Sequence, residues 1–158
     1  MLREPSQRVS PRARTMWVVV QTLQAVGALA VLAVVDVVVD AVDIRWWVFV
    51  LVAAAELGQV AVIPQWRYAV HRWEVSETAV YTQTGWWSRE RRIAPMSRIQ
   101  TVDHAEGALE RLFRLATVTV TTASAAGALQ ISGLDRDVAR QLVDELTFKA
   151  DAVEGDAT

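Results

Sequence analysis

The densest chemistry in the chain lies in Trp86-Trp87-Ser88-Arg89-Glu90-Arg91-Arg92, with Arg98 a few residues on. Guanidinium groups beside indole rings suit contact with anionic headgroups or an acidic partner, each arginine contributing about 1 kcal/mol near a charged membrane. On a strand, Arg89 and Arg91 share one face while Arg92 shares the other with Glu90, so an ordinary solvated strand edge is the competing reading. One of Trp86 and Trp87 is expected in a core and the other at an interface. Arg98 and Asp103 are placed to form a turn-holding salt bridge.

The remaining titratable groups argue against catalysis. Asp103-His104 near Glu106 lacks a serine-bearing elbow, and neighbours on a strand point to opposite faces. His71 and His104 are the only histidines and there is no cysteine, which leaves no zinc-type ligand set. No glycine-rich phosphate loop occurs. No catalytic residue, cofactor or metal site is therefore assigned. A second group stands inside apolar sequence: Gln21 and Gln24 in one stretch, Glu56 and Gln59 in another. Polar side chains at such positions are either structural contacts or a proton- or ligand-sensing carboxylate.

The elements that hold these residues follow from composition. Hydrophobic residues make up 53% of the 158 residues and mean hydropathy is +0.22, high for an ordinary soluble domain. The excess sits in residues 16–35 and 46–63. The first stretch carries no formal charge and, at 1.5 Å per residue, is long enough for a hydrocarbon core of about 30 Å. The second carries Glu56, whose insertion cost of roughly 2–3 kcal/mol is offset by its Leu, Ile, Val and Phe residues at about 0.3–0.6 kcal/mol each. A secretory signal is the rival reading of the first stretch. Its length, the absence of a clean small-x-small site and the second span that follows all argue against it.

The connection between the spans is acidic (Asp36, Asp40, Asp43), whereas Arg12, Arg14, Arg67 and Arg72 flank the outer ends. This asymmetry predicts a multi-pass membrane protein with both termini cytoplasmic. Trp17, Trp46, Trp47 and Trp66 are expected at the interfaces as anchors. In an antiparallel hairpin turning near Asp40, Gln21 falls level with Gln59 and Gln24 with Glu56, giving two polar rungs.

From Trp66 onward the pattern changes to period two. Val118 and Val120 alternate with Thr117, Thr119 and Thr121, and turn signals recur at Thr84-Gly85, Ala94-Pro95, Glu106-Gly107 and Ala126-Gly127. A short helical turn is expected over residues 109–113. Asp135 is placed to cap a C-terminal helix whose stripe is Val138, Leu142 and Leu146, widened by Ala139 and Val143. The plan is α+β: a basic segment over residues 1–15, a two-helix transmembrane hairpin over 16–63, an antiparallel β-barrel or sandwich capped by a helix over 66–150, and an acidic tail over 151–158. Neither terminal segment is expected to fold. Arginine dominance, with Lys149 the sole lysine, reads as coding bias, not as a nucleic-acid surface.

The ordered set Arg67-Tyr68, Thr84 to Arg92, Pro95-x-x-Arg98-Ile99-Gln100-x-Val102, and Leu109-x-Arg111-Leu112-Phe113-x-Leu115-Ala116-Thr117-Val118 resembles the bacterial pleckstrin-homology membrane proteins of the YdbS-like type. The resemblance covers residue 16 to about 148. It implies a PH-like fold of seven strands capped by the C-terminal helix, in a bacterial cell membrane, acting as a binding or scaffolding module without known catalysis. The family usually carries glycine where Arg114 stands; if that position needs positive φ, Arg114 is strained or the turn has been rebuilt. The function expected is a non-enzymatic, membrane-anchored module recognising a protein partner or lipid headgroups, the alternative being a pH or envelope-state sensor acting through Glu56. Partner classes are the bilayer itself, anionic headgroups, a second copy and a sibling PH-domain membrane protein.

Overall fold

The computed structural model describes residues 4–39, 43–85, 88–123 and 127–155. Two long helices come first, α1 (Pro11–Val38) and α2 (Trp46–Val70), and both are long and apolar enough to cross a membrane. They are antiparallel neighbours, and the acidic connection is tied where Asp36 Oδ1 accepts from the Ile44 amide at 2.8 Å. Their outward surface is apolar and exposed from Val19 to Val39 on one helix and from Trp46 to Trp66 on the other. That surface suits hydrocarbon and not water.

Among the described residues, seven strands form two antiparallel sheets. The first has the order β1 (Gln7–Arg8), β2 (Arg72–Val75), β3 (Ala79–Gly85), β4 (Arg89–Pro95); the second has the order β5 (Ile99–Ala105), β6 (Leu115–Thr122), β7 (Leu129–Asp135). The sheets do not close on each other, so of the two expected forms the sandwich is the one observed. Alternation is clear over residues 116–121 of β6, where Val118 and Val120 are fully buried between half-buried threonines. A short helix, α3 (Ala108–Leu112), joins β5 to β6, and α4 (Arg136–Gly155) covers one end of the sandwich with Ala139, Leu142 and Leu146. Val138, expected in that stripe, is 38% exposed because Ala139 holds the inward position. The helix runs on to Gly155, through residues expected to be an unfolded tail.

The larger departure from expectation is at the other end. The segment before the hairpin does not hang free: Gln7 and Arg8 pair with Trp73 and Arg72, so one of the seven strands precedes both membrane helices. Val9, Ala13, Met16 and Trp17 all belong to the core of the β domain, together with Trp73, Val80, Leu115, Leu134 and Leu146. The first two turns of α1 are thus a structural part of the domain, and the helix continues from there as the first membrane span. Ser10 caps α1 by accepting from the Arg12 amide at 3.2 Å, with Pro11 in the first turn where its missing N–H costs nothing. Trp17, expected as an interfacial anchor, is only 7% exposed. It is covered by Arg67, whose guanidinium carbon lies 4.3 Å from the ring centroid, and by His71 at 5.4 Å between ring centroids. Trp46, Trp47 and Trp66 remain exposed.

His71 ends α2 and reports on this junction. Its Nδ1 donates to the Arg67 carbonyl oxygen at 2.9 Å. Burial, followed by repulsion from Arg67, holds its pKa below the ordinary histidine value, against a smaller opposing effect of that hydrogen bond. A histidine kept neutral in the folded state favours folding above its unfolded pKa of about 6.5, and this contribution is lost as pH falls toward the depressed folded value. Urea stability of the full chain is expected to fall between pH 7.5 and pH 5.5, and His71→Gln to flatten that slope. An unchanged slope in the variant would assign the pH dependence to other groups.

Candidate functional site

Two surfaces of the β domain carry clustered charge. The first is β4, an edge strand paired on one side with β3 through the register Gln83↔Arg91 and Thr82↔Arg92. Its arginines are engaged within the protein. Arg91 Nε donates to Gln83 Oε1 at 2.9 Å and its Nη2 donates to Glu4 Oε1 at 2.9 Å, while Arg89 lies 3.8 Å from the same Glu4 oxygen. Arg92 bonds Glu90 at 2.6 Å and the Ala128 carbonyl oxygen at 3.2 Å. Gln83 is buried, and its amide donates onward to the Val70 carbonyl oxygen at 3.2 Å. A polar relay therefore runs from the β4 surface through Arg91 and Gln83 to the last residue of α2. Such exposed pairs are weak, roughly 0–1 kcal/mol each, so they orient the guanidinium groups without committing them against a stronger anionic ligand.

The other expected members of this group lie apart or beyond view. Trp86 and Trp87 are outside the described residues. Arg98 sits exposed at the end of the 3-10 turn Met96–Arg98. Among the described residues no ion pair joins Arg98 to Asp103, whose Oδ2 instead accepts from Thr101 at 3.3 Å. His104 and Glu106 come within 3.8 Å of each other, but Glu106 is held by Arg136 at 2.7 Å. An ion-paired carboxylate of this kind is a structural contact. No cluster of three or more metal-ligating side chains occurs among the described residues.

The second surface was not anticipated as a site. A cavity of about 800 Å³ opens where the start of α1 meets the β7–α4 junction, and Arg12, Arg114, Asp135, Arg136, Asp137 and Arg140 supply its charged lining. Asp135, expected to cap α4, turns its carboxylate to α1, where it accepts from Ser10 Oγ at 3.0 Å and Arg12 at 3.3 Å. Arg114 occupies the tight corner between α3 and β6 at φ +57°, and the left-handed region costs a non-glycine residue about 1–2 kcal/mol. The turn has not been rebuilt; the arginine is held in the strained form. The sequence signal for this surface was the arginine standing at a glycine-type corner, but only the fold brings it beside Arg12 and Arg140.

Inside the membrane hairpin, Gln21 and Glu56 are half-buried, whereas Gln24 and Gln59 are exposed. Ala25 is the one buried residue of α1 beyond its first two turns, and it marks the close approach of the helices at that level.

A sandwich of two antiparallel sheets and a capping helix, carried on two apolar helices, defines a membrane protein with a PH-like domain. The profile of the bacterial PH domain matches residues 18–149, and the chain belongs to that family. It is 31% identical to the UPF0699 transmembrane protein YdbS of Bacillus subtilis (strain 168), over 162 aligned residues that cover 99% of each chain. No solved structure matches.

Proposed function

We propose that this membrane-associated binding module is non-enzymatic and works at the cytoplasmic face of the bacterial cell membrane, where its PH-like domain recognises a protein partner or lipid headgroups. The observation that carries this reading is the continuity of α1 with the core of the domain through Ala13, Met16 and Trp17. A domain built around the base of its own membrane helix cannot tumble on a tether, so the same surfaces are held toward the bilayer. The contact surface is the β4 edge, Arg89, Arg91 and Arg92, with Arg98 and the neighbouring Trp86 and Trp87. The relay through Gln83 to Val70 supports it, because a ligand on β4 pulls on a network that ends at α2. Within the bilayer, Gln21 level with Gln59 and Gln24 level with Glu56 form two polar rungs that help hold the hairpin closed, a reading supported by the half-burial of Gln21 and Glu56.

The cytoplasmic orientation rests on the arginine asymmetry of the flanks. A membrane-impermeant thiol reagent applied to intact cells is expected to label Asp43→Cys and to leave Ser97→Cys unmodified; the reverse pattern overturns the orientation. For the contact surface, the full chain in intact membranes is the material of choice, since a fragment starting at Trp66 would lack β1 and part of the core. Photocrosslinking from position 98 in intact membranes is expected to capture lipid or a discrete protein. Replacing Arg89, Arg91 and Arg92 together with alanine is expected to cut the yield several-fold and to weaken its salt dependence. An unchanged yield leaves β4 an ordinary solvated edge.

A further inference from the structure

We propose that the cavity between the start of α1 and the β7–α4 junction binds the phosphate of an anionic membrane phospholipid, with Arg114 and Arg140 as its principal ligands. This site is separate from the β4 surface, and neither proposal depends on the other. Four arginines face two aspartates across its lining. Two of the four are occupied: Arg12 with Asp135 at 3.3 Å and Arg136 with Glu106 at 2.7 Å. Arg114 and Arg140 have no side-chain partner among the described residues, although both line a space large enough for a headgroup. Asp137 also lines the space and subtracts from the field, so the site selects a singly charged phosphodiester more readily than it accumulates anions. A guanidinium fork matches phosphate oxygens two at a time, which an ammonium group does not.

Position relative to the bilayer identifies the source of the phosphate. Arg12 lies seven residues before Val19, the first large exposed apolar residue of α1, which at 1.5 Å per residue is about 10 Å below the hydrocarbon edge. The polar headgroup layers add roughly 5–8 Å on each side of the apolar core, so Thr15, four residues before Val19 and about 6 Å from that edge, lies within them and Arg12 stands just beyond. From the cavity a groove of about 330 Å³ continues through the shared residues Arg12 and Arg114 to Thr15, Leu112 and Phe113. Thr15 is nearer the membrane than Arg12, and Leu112 is 74% exposed beside it. A lipid can therefore place its phosphate between Arg114 and Arg140 and run its glycerol and acyl chains over Thr15 and Leu112 toward the hydrocarbon. An arginine kept at φ +57° fits this role, because strain in a backbone persists where the side chain is needed.

The test uses the full chain in detergent micelles, with phosphatidylglycerol and phosphatidylcholine as probes and native mass spectrometry as the readout. Wild type is expected to bind one phosphatidylglycerol at least tenfold more tightly than phosphatidylcholine. Arg114→Gly, which relieves the strained backbone and so preserves the fold, and Arg140→Gln are each expected to remove most of that preference. Thermal melts without added lipid verify that both variants fold. The proposal is overturned if both retain the wild-type preference, or if only the Arg89/Arg91/Arg92 triple alanine variant loses it. Displacement of the lipid by millimolar glycerol phosphate would equally overturn the lipid assignment, since it would make the site a receptor for soluble phosphate esters.

Discussion

Trp17→Ala is expected to lower the stability of the β domain by about 3–5 kcal/mol, the usual loss when a large aromatic side chain is removed from a packed core. The ring is 7% exposed and lies under Arg67 and against His71, so its removal opens a cavity at the joint between both membrane helices and the sandwich. Trp46→Ala is the control: that ring is 75% exposed at the far end of the hairpin, and its loss is expected to leave domain stability unchanged. Pulse proteolysis of the full chain in urea measures both. A loss below about 1 kcal/mol for Trp17→Ala would mean that Trp17 is a membrane anchor and that the junction is loose.

Gly133→Ala is expected to cost about 2–5 kcal/mol, by two separable routes. Gly133 has φ +77°, which a side chain tolerates poorly, and a Cβ built there stands 2.8 Å from the Ala13 Cβ. The approach is close because the Gly133 carbonyl oxygen accepts from the Ser10 amide at 2.8 Å, bringing the incoming chain against β7. Ala13→Gly should remove the collision but not the backbone strain. A double-mutant cycle is therefore expected to give a favourable coupling of about 1–3 kcal/mol between the two sites. Strict additivity would show that α1 does not press on β7 here.

Legibility divides along the distance over which the physics acts. The membrane helices were readable from length and charge alone, because the cost of unpaired backbone and buried charge in hydrocarbon is paid locally, residue by residue. The strand alternation of Val118 and Val120 and the Ala139, Leu142, Leu146 stripe were readable for the same reason, since each is a period imposed by one element. Val138 was misplaced because the width of a helix stripe depends on what lies opposite. Ser10-Pro11 was a readable helix start, and taking it as one would have moved α1 back from residue 16 to Pro11.

The β4 arginines were legible as a group, but not their partners: Glu4 is 87 residues from Arg91 in sequence, and no local pattern links them. The second basic cavity was not legible, because Arg12, Arg114 and Arg140 come from three elements separated by the whole domain. Composition and periodicity thus determined that this chain has a two-helix membrane hairpin and a helix-capped α+β domain, while the resemblance of its ordered motifs pointed to the bacterial PH family. The tertiary structure alone decided that the residues before the hairpin complete that domain, with Trp17 in its core and Arg114 beside Arg12 and Arg140. The physical reason is that a helix end, a strained corner and a helix start each satisfy local rules separately, while their convergence comes from non-local packing of α1 on β7.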